Sequence, residues 1–161
     1  MTTFYAQPYS LDHTGFYFDS TESFDTGMQR LNSQGCEEVE IQLIDADDHL
    51  VRLASAAGIH QGNIHRWYET LDDLDDTAAT QIMFLLDQGR DLGDALERYE
   101  EVCLYAGTAS DYAYDLINET TDIPENLRHY IDYDAIARDM EINGEITELD
   151  HDLIVTNPLD F

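Results

Sequence analysis

Carboxylates and imidazoles are the side chains that could carry chemistry here, because the 161 residues include 35 Asp or Glu and six His. Acids of this kind bind calcium in EF-hand loops, and residues 45–56 begin like one. However, Leu50 stands where the loop needs Gly, and Ala56 stands where it needs Glu. His60 and His65 are five residues apart, which places them on different sides of a helix, and no HExxH motif exists. We therefore expect no metal site and no cofactor.

Nucleophilic catalysis lacks a sequence signature as well. No GxSxG motif is present, and Cys36 and Cys103 stand alone in apolar, strand-like runs with no CxxC motif and no neighbouring His. The residues of a catalytic triad meet in the folded structure and need not be close in sequence, so the lack of a local motif does not exclude a triad. The pattern favours buried free thiols for both cysteines and a protein that is not an enzyme.

The charge balance excludes several classes of function. Against the 35 acids stand seven cations, all of them Arg, for a formal net charge of -28. Without Lys, a P-loop phosphate site and a Schiff-base nucleophile are excluded, since both need an amine. Seven scattered Arg cannot form the basic face that phosphate contact requires, which excludes nucleic-acid binding. No signal peptide or apolar run typical of a membrane span is present, so we expect a cytoplasmic protein with no membrane partner.

Hydrophobic periodicity predicts an α+β fold of three small domains: an N-terminal α+β domain at 1–57, a central helical domain at 58–100 and a C-terminal α+β domain at 101–161. In the first domain, strand-like alternation surrounds one helix, which gives a ββαβ unit with elements at 3–9, 15–19, 21–34 and 38–45. Helical spacing fills the second domain, with a short helix capped by Asn63, one ending at Gly89 and one starting at Asp91.

The third domain mixes strand and helix patterns. From the N-terminal side, we predict a strand at 101–106, a helix at 107–118, a helix starting at Ile123 and Pro124, a helix capped by Asp132 and ended by Asn143 and Gly144, and a hairpin of 146–149 with 153–156 joined by residues 150–152.

Acids recur along the predicted helices at spacings that place them on one outer face. Asp111, Asp115 and Glu119 fall at i, i+4 and i+8, about 6 Å apart along the axis. The same arrangement is predicted for Asp91, Asp94, Glu97 and the following Glu101, and for Asp72, Asp73, Asp75 and Asp76. Like charges at this spacing destabilise a helix by about 0.2–0.5 kcal/mol per pair, and we expect no nearby cation to neutralise them. Repulsion among these charges destabilises the compact state, so a protein that keeps such a surface should gain something from it.

Three reasons are open from composition. The acids could keep a halophilic protein soluble at high salt and have no other role. They could form an acidic binding module, for example a chaperone whose Tyr and carboxylate side chains hold a basic protein. They could also stand in for the phosphates of DNA. In duplex DNA, 28 charges span about 48 Å, whereas a compact globule of this length is about 40 Å across. A DNA imitator should therefore be an elongated chain of domains, preferably doubled by a two-fold axis.

Residues 123–142 (IPENLRHYIDYDAIARDMEI) closely resemble the signature of the ArdA antirestriction family. The acidic segment 91–101, the strand with Tyr105 and the run from Asp111 to Glu119 are similar to that family in order and spacing. The likeness is weaker at 15–19 and 38–45, and Ala46 replaces an aromatic residue that many members carry.

The resemblance implies an elongated, three-domain, acidic homodimer that imitates bent B-form DNA. Such a protein would occupy the DNA-binding groove of type I restriction-modification enzymes. It would block cleavage, and often methylation, of an incoming mobile genetic element without a cofactor. The family's dimer contact lies in the C-terminal domain, where Tyr105, Ala106, Tyr112 and Tyr114 are candidates, although these residues suit a core equally well. The candidate phosphate stand-ins are Asp72, Asp73, Asp75, Asp76, Asp91, Asp94, Glu97, Glu101, Asp111, Asp115 and Glu119.

Overall fold

The computed structural model describes residues 2–150 and 152–161, and it confirms the α+β class. Two compact units make up the chain, with the boundary between Ala95 and Leu96. Each unit holds one three-stranded antiparallel sheet together with helices. The first unit includes the predicted N-terminal domain and most of the predicted central one. The division into three domains stays a prediction.

The first unit begins with the predicted ββαβ arrangement, which is confirmed. Its elements are β1 (Thr3–Pro8), β2 (Phe16–Phe18), α1 (Thr21–Ser33) and β3 (Val39–Asp45), with strand order β2-β1-β3. Alternation directs Phe4 and Phe18 into the core, where the Phe18 ring lies 4.9 Å from that of Phe24 and the Phe4 ring meets Trp67 edge-on at 5.6 Å. The buried aromatic residues join the sheet to the helices that follow.

Those helices are α2 (Asp48–Ala56), α3 (Ile64–Arg66), a π-helix (Trp67–Leu71), α4 (Asp76–Asp87) and α5 (Leu92–Arg98). Helix α2 occupies a stretch where no element was expected. Leu50, Leu53 and Ala54 are buried at i, i+3 and i+4, which is the helical signal, and α2 packs against α4. Asn63 precedes α3 as predicted, but its Oδ1 accepts from the His60 N–H at 2.7 Å instead of capping the helix.

The second unit places two helices on a small sheet. Its elements are a 3-10 turn (Tyr99–Glu101), β4 (Leu104–Ala106), α6 (Ala109–Thr120), a second 3-10 turn (Arg128–Tyr130), α7 (Tyr133–Ile142), β5 (Thr147–Asp150), β6 (Leu153–Val155) and a final 3-10 turn (Pro158–Asp160). Strand order is β4-β6-β5, so the predicted hairpin is confirmed, although His151 of its connection lies outside the described residues. Buried residues of α6, α7 and β6 form the core, among them Ala113, Ala137 and Ile154.

Two sequence predictions for this unit are wrong. No helix starts at Pro124. The Leu127 N–H donates to the Pro124 carbonyl at 2.8 Å and the Tyr130 N–H to the Leu127 carbonyl at 3.0 Å, which makes two successive tight turns. The whole stretch 124–130 is exposed, and without a buried face a short helix gains no stability from packing. Cys36 is a buried free thiol as expected, but Cys103 is exposed, because its neighbour Val102 takes the buried side of the chain just before β4.

No helix in the described part of the chain combines the length and apolarity that a membrane span requires.

Candidate acidic interface

Helix α6 carries the best-defined group of acids, here called the acid row: Asp111, Asp115 and Glu119, all exposed. The helix starts with a capping box, in which the Thr108 hydroxyl accepts from the Asp111 N–H at 3.2 Å and the Thr108 N–H donates to Asp111 Oδ2 at 3.0 Å. The Thr108 hydroxyl also donates to Asp111 Oδ2 at 2.7 Å, and this hydrogen bond, followed by the one from the Thr108 N–H, lowers the pKa of Asp111. The first charge of the acid row is therefore fixed in position and ionised.

Tyr105, ten residues upstream on β4, fixes the second charge. Its hydroxyl donates to Asp115 Oδ2 at 2.5 Å. This bond is the largest cause that raises the pKa of Tyr105 to about 12, followed by burial and by the negative charges of Asp115, Asp111 and Glu119. All three carboxylates of the acid row thus act on one phenol. Sequence reasoning missed this role, because nothing in the spacing shows that a β4 side chain reaches the helix.

A second group surrounds α5. Asp91 Oδ1 accepts from the Gly93 N–H at 2.8 Å and the Asp94 N–H at 3.0 Å, so it binds the free amides at the start of the helix. Asp94 is half-buried and pairs with Arg90 at 3.5 Å. Glu97 and Glu101 are exposed, and Glu101 Oε2 accepts from Arg98 Nε and Nη2 at 3.0 and 2.9 Å.

The third group lies at a helix junction, which corrects the expected position on an outer helical face. Asp72 and Asp73 follow the π-helix in a turn, and Asp75 caps α4 by accepting from the Ala78 N–H at 2.8 Å. Asp76 is the first residue of α4, where a negative charge interacts favourably with the helix dipole and stabilises the helix. Only Asp72 of this group is half-buried. Burial, then the charge of Asp72, raise the pKa of the neighbouring Tyr68 phenol.

The expectation that no cation neutralises these acids is wrong for three of the eleven. In the described part of the chain, Arg side chains pair with Asp76, Asp94 and Glu101. The Arg98 and Arg90 pairs are three and four residues apart and could have been read from the sequence. The Arg52–Asp76 pair, at 3.0 Å, joins two helices and depends on the fold. Exposed ion pairs of this kind contribute about 0–1 kcal/mol. The net charge of -28 already counts all seven Arg, so these pairs leave it unchanged.

The four residues expected at a dimer contact fall into two environments. Tyr105 and Tyr112 meet edge-on at 5.2 Å and pack against the core of the second unit. Tyr114 is 53% exposed and lies 5.0 Å from the Tyr133 ring, while Ala106 is exposed. Core packing accounts for the first two residues, and Tyr114 and Ala106 are accessible. The dimer contact itself stays a prediction.

Within residues 2–150 and 152–161, no group of three or more His, Cys, Asp or Glu side chains is arranged to hold a metal ion. The carboxylates instead serve as caps, as ion-pair partners and as free surface charges. Nine of the eleven candidate acids are exposed. Their accessible charge suits contact with a cationic surface.

The fold and these carboxylates define a small, strongly acidic α+β protein. The family model described as antirestriction protein (ArdA) matches residues 12–155. Because the match spans most of the 161 residues, the chain belongs to the ArdA antirestriction family, as residues 123–142 suggested. A comparison with individual curated proteins gives no match.

Proposed function

We propose that this protein inhibits a type I restriction-modification enzyme by occupying its DNA-binding groove, with carboxylates in place of DNA phosphates. Membership of the antirestriction family supports the biological role. The net charge of -28 and the exposed acids support the mode of binding. In this proposal the protein acts in the cytoplasm as a stoichiometric inhibitor, is not an enzyme and needs no cofactor.

The observation that carries the proposal is the acid row on α6. A capping box holds Asp111 and the Tyr105 hydroxyl holds Asp115, so their carboxylates are ordered before a partner arrives. Ordered charges lose less side-chain entropy on binding than free ones, which leaves more of the ion-pair energy as affinity. Tyr105 and Thr108 thus act as positioning residues in the proposed interface.

Competition with DNA follows from electrostatics. An enzyme groove that binds DNA displays Arg and Lys and holds anions from solution, and an acidic ligand would release those anions. Attraction between opposite fields would make association fast and strongly dependent on salt. In duplex DNA, 28 negative charges span about 48 Å, which is longer than one compact unit of this chain length. We therefore propose a chain of three domains that forms a homodimer, because this arrangement supplies the missing length.

Displacement of labelled duplex from a purified type I enzyme tests the proposal. We expect near-equimolar protein to release the duplex and to inhibit cleavage, with weaker inhibition as salt rises. Sedimentation of the protein alone tests the homodimer. Failure to release DNA at equimolar amounts in dilute buffer would refute the inhibitor mechanism. Unfolding in that buffer would instead favour acids that serve solubility at high salt.

A further inference from the structure

The sheet of the first unit has a second face that its core does not use. Phe4 and Ala6 of β1 point inward and are buried. Their neighbours Tyr5 and Gln7 point to the other side, because side chains alternate along a strand. Register places Tyr17 of β2 and Gln42 of β3 beside Tyr5, and Glu40 beside Gln7. We call these five residues, Tyr5, Gln7, Tyr17, Glu40 and Gln42, the tyrosine face.

Two aromatic rings dominate the tyrosine face. The Tyr5 and Tyr17 ring centroids lie 4.7 Å apart at an interplanar angle of 53°, and Tyr17 is 67% exposed. Gly15 makes room for this arrangement. A Cβ at Gly15 would lie 2.6 Å from Cζ of Tyr5 and 2.3 Å from the carbonyl oxygen of Ala6. Any side chain at that position would displace the Tyr5 ring or the strand, so the glycine keeps the ring pair in place.

The charge of the tyrosine face is negative. Glu40 is exposed, and the Gln42 side-chain amide donates to its Oε2 at 3.3 Å, which orients the carboxylate. None of the five residues is a cation. Tyr17 and Glu40 lie on the two outer strands, with Tyr5 and Gln7 of β1 between them. The exposed Tyr17 ring suits a guanidinium, whose plane can stack on it, and the oriented Glu40 carboxylate suits the N–H groups of a second guanidinium. A Lys ammonium offers the charge without the flat surface.

We propose that the tyrosine face binds Arg side chains of the protein's partner. That the partner is the restriction enzyme rests on the proposed function. The new element is that this face recognises Arg side chains. It extends the interface beyond the eleven candidate acids, none of which lies on this sheet. The expected contribution is modest, because exposed contacts between cations and rings change affinity by about two- to fivefold.

Peptide titration of the full-length protein tests the tyrosine face without any enzyme. The probes are two capped peptides, one of alternating Arg and Gly and one of alternating Lys and Gly. We expect the Arg peptide to bind more tightly and to shift the backbone amide resonances of Tyr5, Tyr17 and Glu40. The variant Tyr17→Thr, which keeps strand propensity, should lower that affinity by about two- to fivefold, whereas Tyr17→Phe should retain it.

Tyr130→Thr is the matched control, since it removes a ring that is 83% exposed in the other unit. Equal affinity for the two peptides, or equal losses in Tyr17→Thr and Tyr130→Thr, would overturn the proposal. The comparison of the two peptides uses the wild-type protein, so it holds even if Tyr17→Thr folds poorly.

DNA displacement from the enzyme then separates the two proposals. We expect Tyr17→Thr and Glu40→Gln each to weaken inhibition by about two- to fivefold. If the protein prefers the Arg peptide and Tyr17→Thr lowers that affinity more than Tyr130→Thr, but no DNA is released, the proposed function fails and the Arg-binding face stands. If it releases DNA but binds both peptides equally, the tyrosine face proposal fails and the inhibitor mechanism stands.

Discussion

Neutralising free charges on the proposed interface should weaken inhibition without weakening the fold. Three candidate stand-ins, Asp73, Glu97 and Glu119, are exposed and make no side-chain hydrogen bond or ion pair with any residue that the structure describes. The triple variant Asp73→Asn, Glu97→Gln, Glu119→Gln removes three negative charges and no structural contact. Surface substitutions of this kind change the free energy of unfolding by less than about 0.5 kcal/mol.

The magnitude follows from the exposure of these carboxylates. An exposed ion pair contributes about 0.2–1 kcal/mol, so three pairs with the partner's cations contribute about 0.6–3 kcal/mol. The inhibitory affinity should fall by about 3- to 140-fold. Each lost contact should also reduce the slope of log affinity against log salt by about one, or about three for the triple variant. A single substitution should have a small effect, because the field is shared.

A chemically identical variant elsewhere provides the control. Asp12→Asn, Glu22→Gln, Glu37→Gln changes three exposed acids that are not among the candidate stand-ins. Both variants carry the same net charge, so DNA displacement measured over a range of salt separates position from total charge. We expect the control to lose less than about twofold, since none of its three acids belongs to the proposed interface and a solvent-exposed charge without a partner contributes little. Equal losses in the two variants would refute the assignment of the interface.

Three further measurements test individual contacts. Asp75→Ala should lower the free energy of unfolding by about 0.5–2 kcal/mol through loss of the helix cap, whereas Asp75→Asn should keep the cap, and equal thermal stability of the two would contradict the capping role. The pKa of Asp111 is lowered in the folded state, so its stabilisation is complete above about pH 4 and is lost as pH falls through that lowered pKa. The stability difference between wild type and Thr108→Val in urea unfolding should therefore shrink in acid, and a constant difference would exclude this coupling. The pKa of Tyr105 is raised to about 12 in the folded state. The stabilisation from its hydrogen bond to Asp115 is therefore complete below about pH 10 and is lost as pH rises through about 12. Tyr105→Phe should thus be less stable than wild type at neutral pH, with a difference that narrows in alkali, and equal stability at neutral pH would show that the phenol bond contributes nothing.

Local patterns in the sequence predicted much of the fold. The ββαβ start was readable because the alternation in 39–43 matches a sheet with one buried face, where Val39 is buried and Glu40 and Gln42 are exposed. Helix α7 was readable from its ends, since Asp132 accepts from the Ala135 N–H and the chain leaves the helix at Asn143.

Patterns failed where burial decided the outcome. No element was expected where α2 lies, although Leu50, Leu53 and Ala54 form its apolar face. Pro124 at a first-turn position suggested a helix, but the residues after it are exposed and no packing stabilises one. Both errors arise because helix formation in a short segment depends on what covers it.

The charge, the α+β class and the regular spacing of the acids on α6 could be read from the chain alone, because composition and helical periodicity need no tertiary contact, and residues 123–142 carried the resemblance to the family. The long-range contacts of the acids, in contrast, depend on how separate elements pack. The tertiary structure brought Arg52 to Asp76 across 24 residues and the Tyr105 hydroxyl to Asp115 across a strand and a turn. No spacing along the chain records that packing.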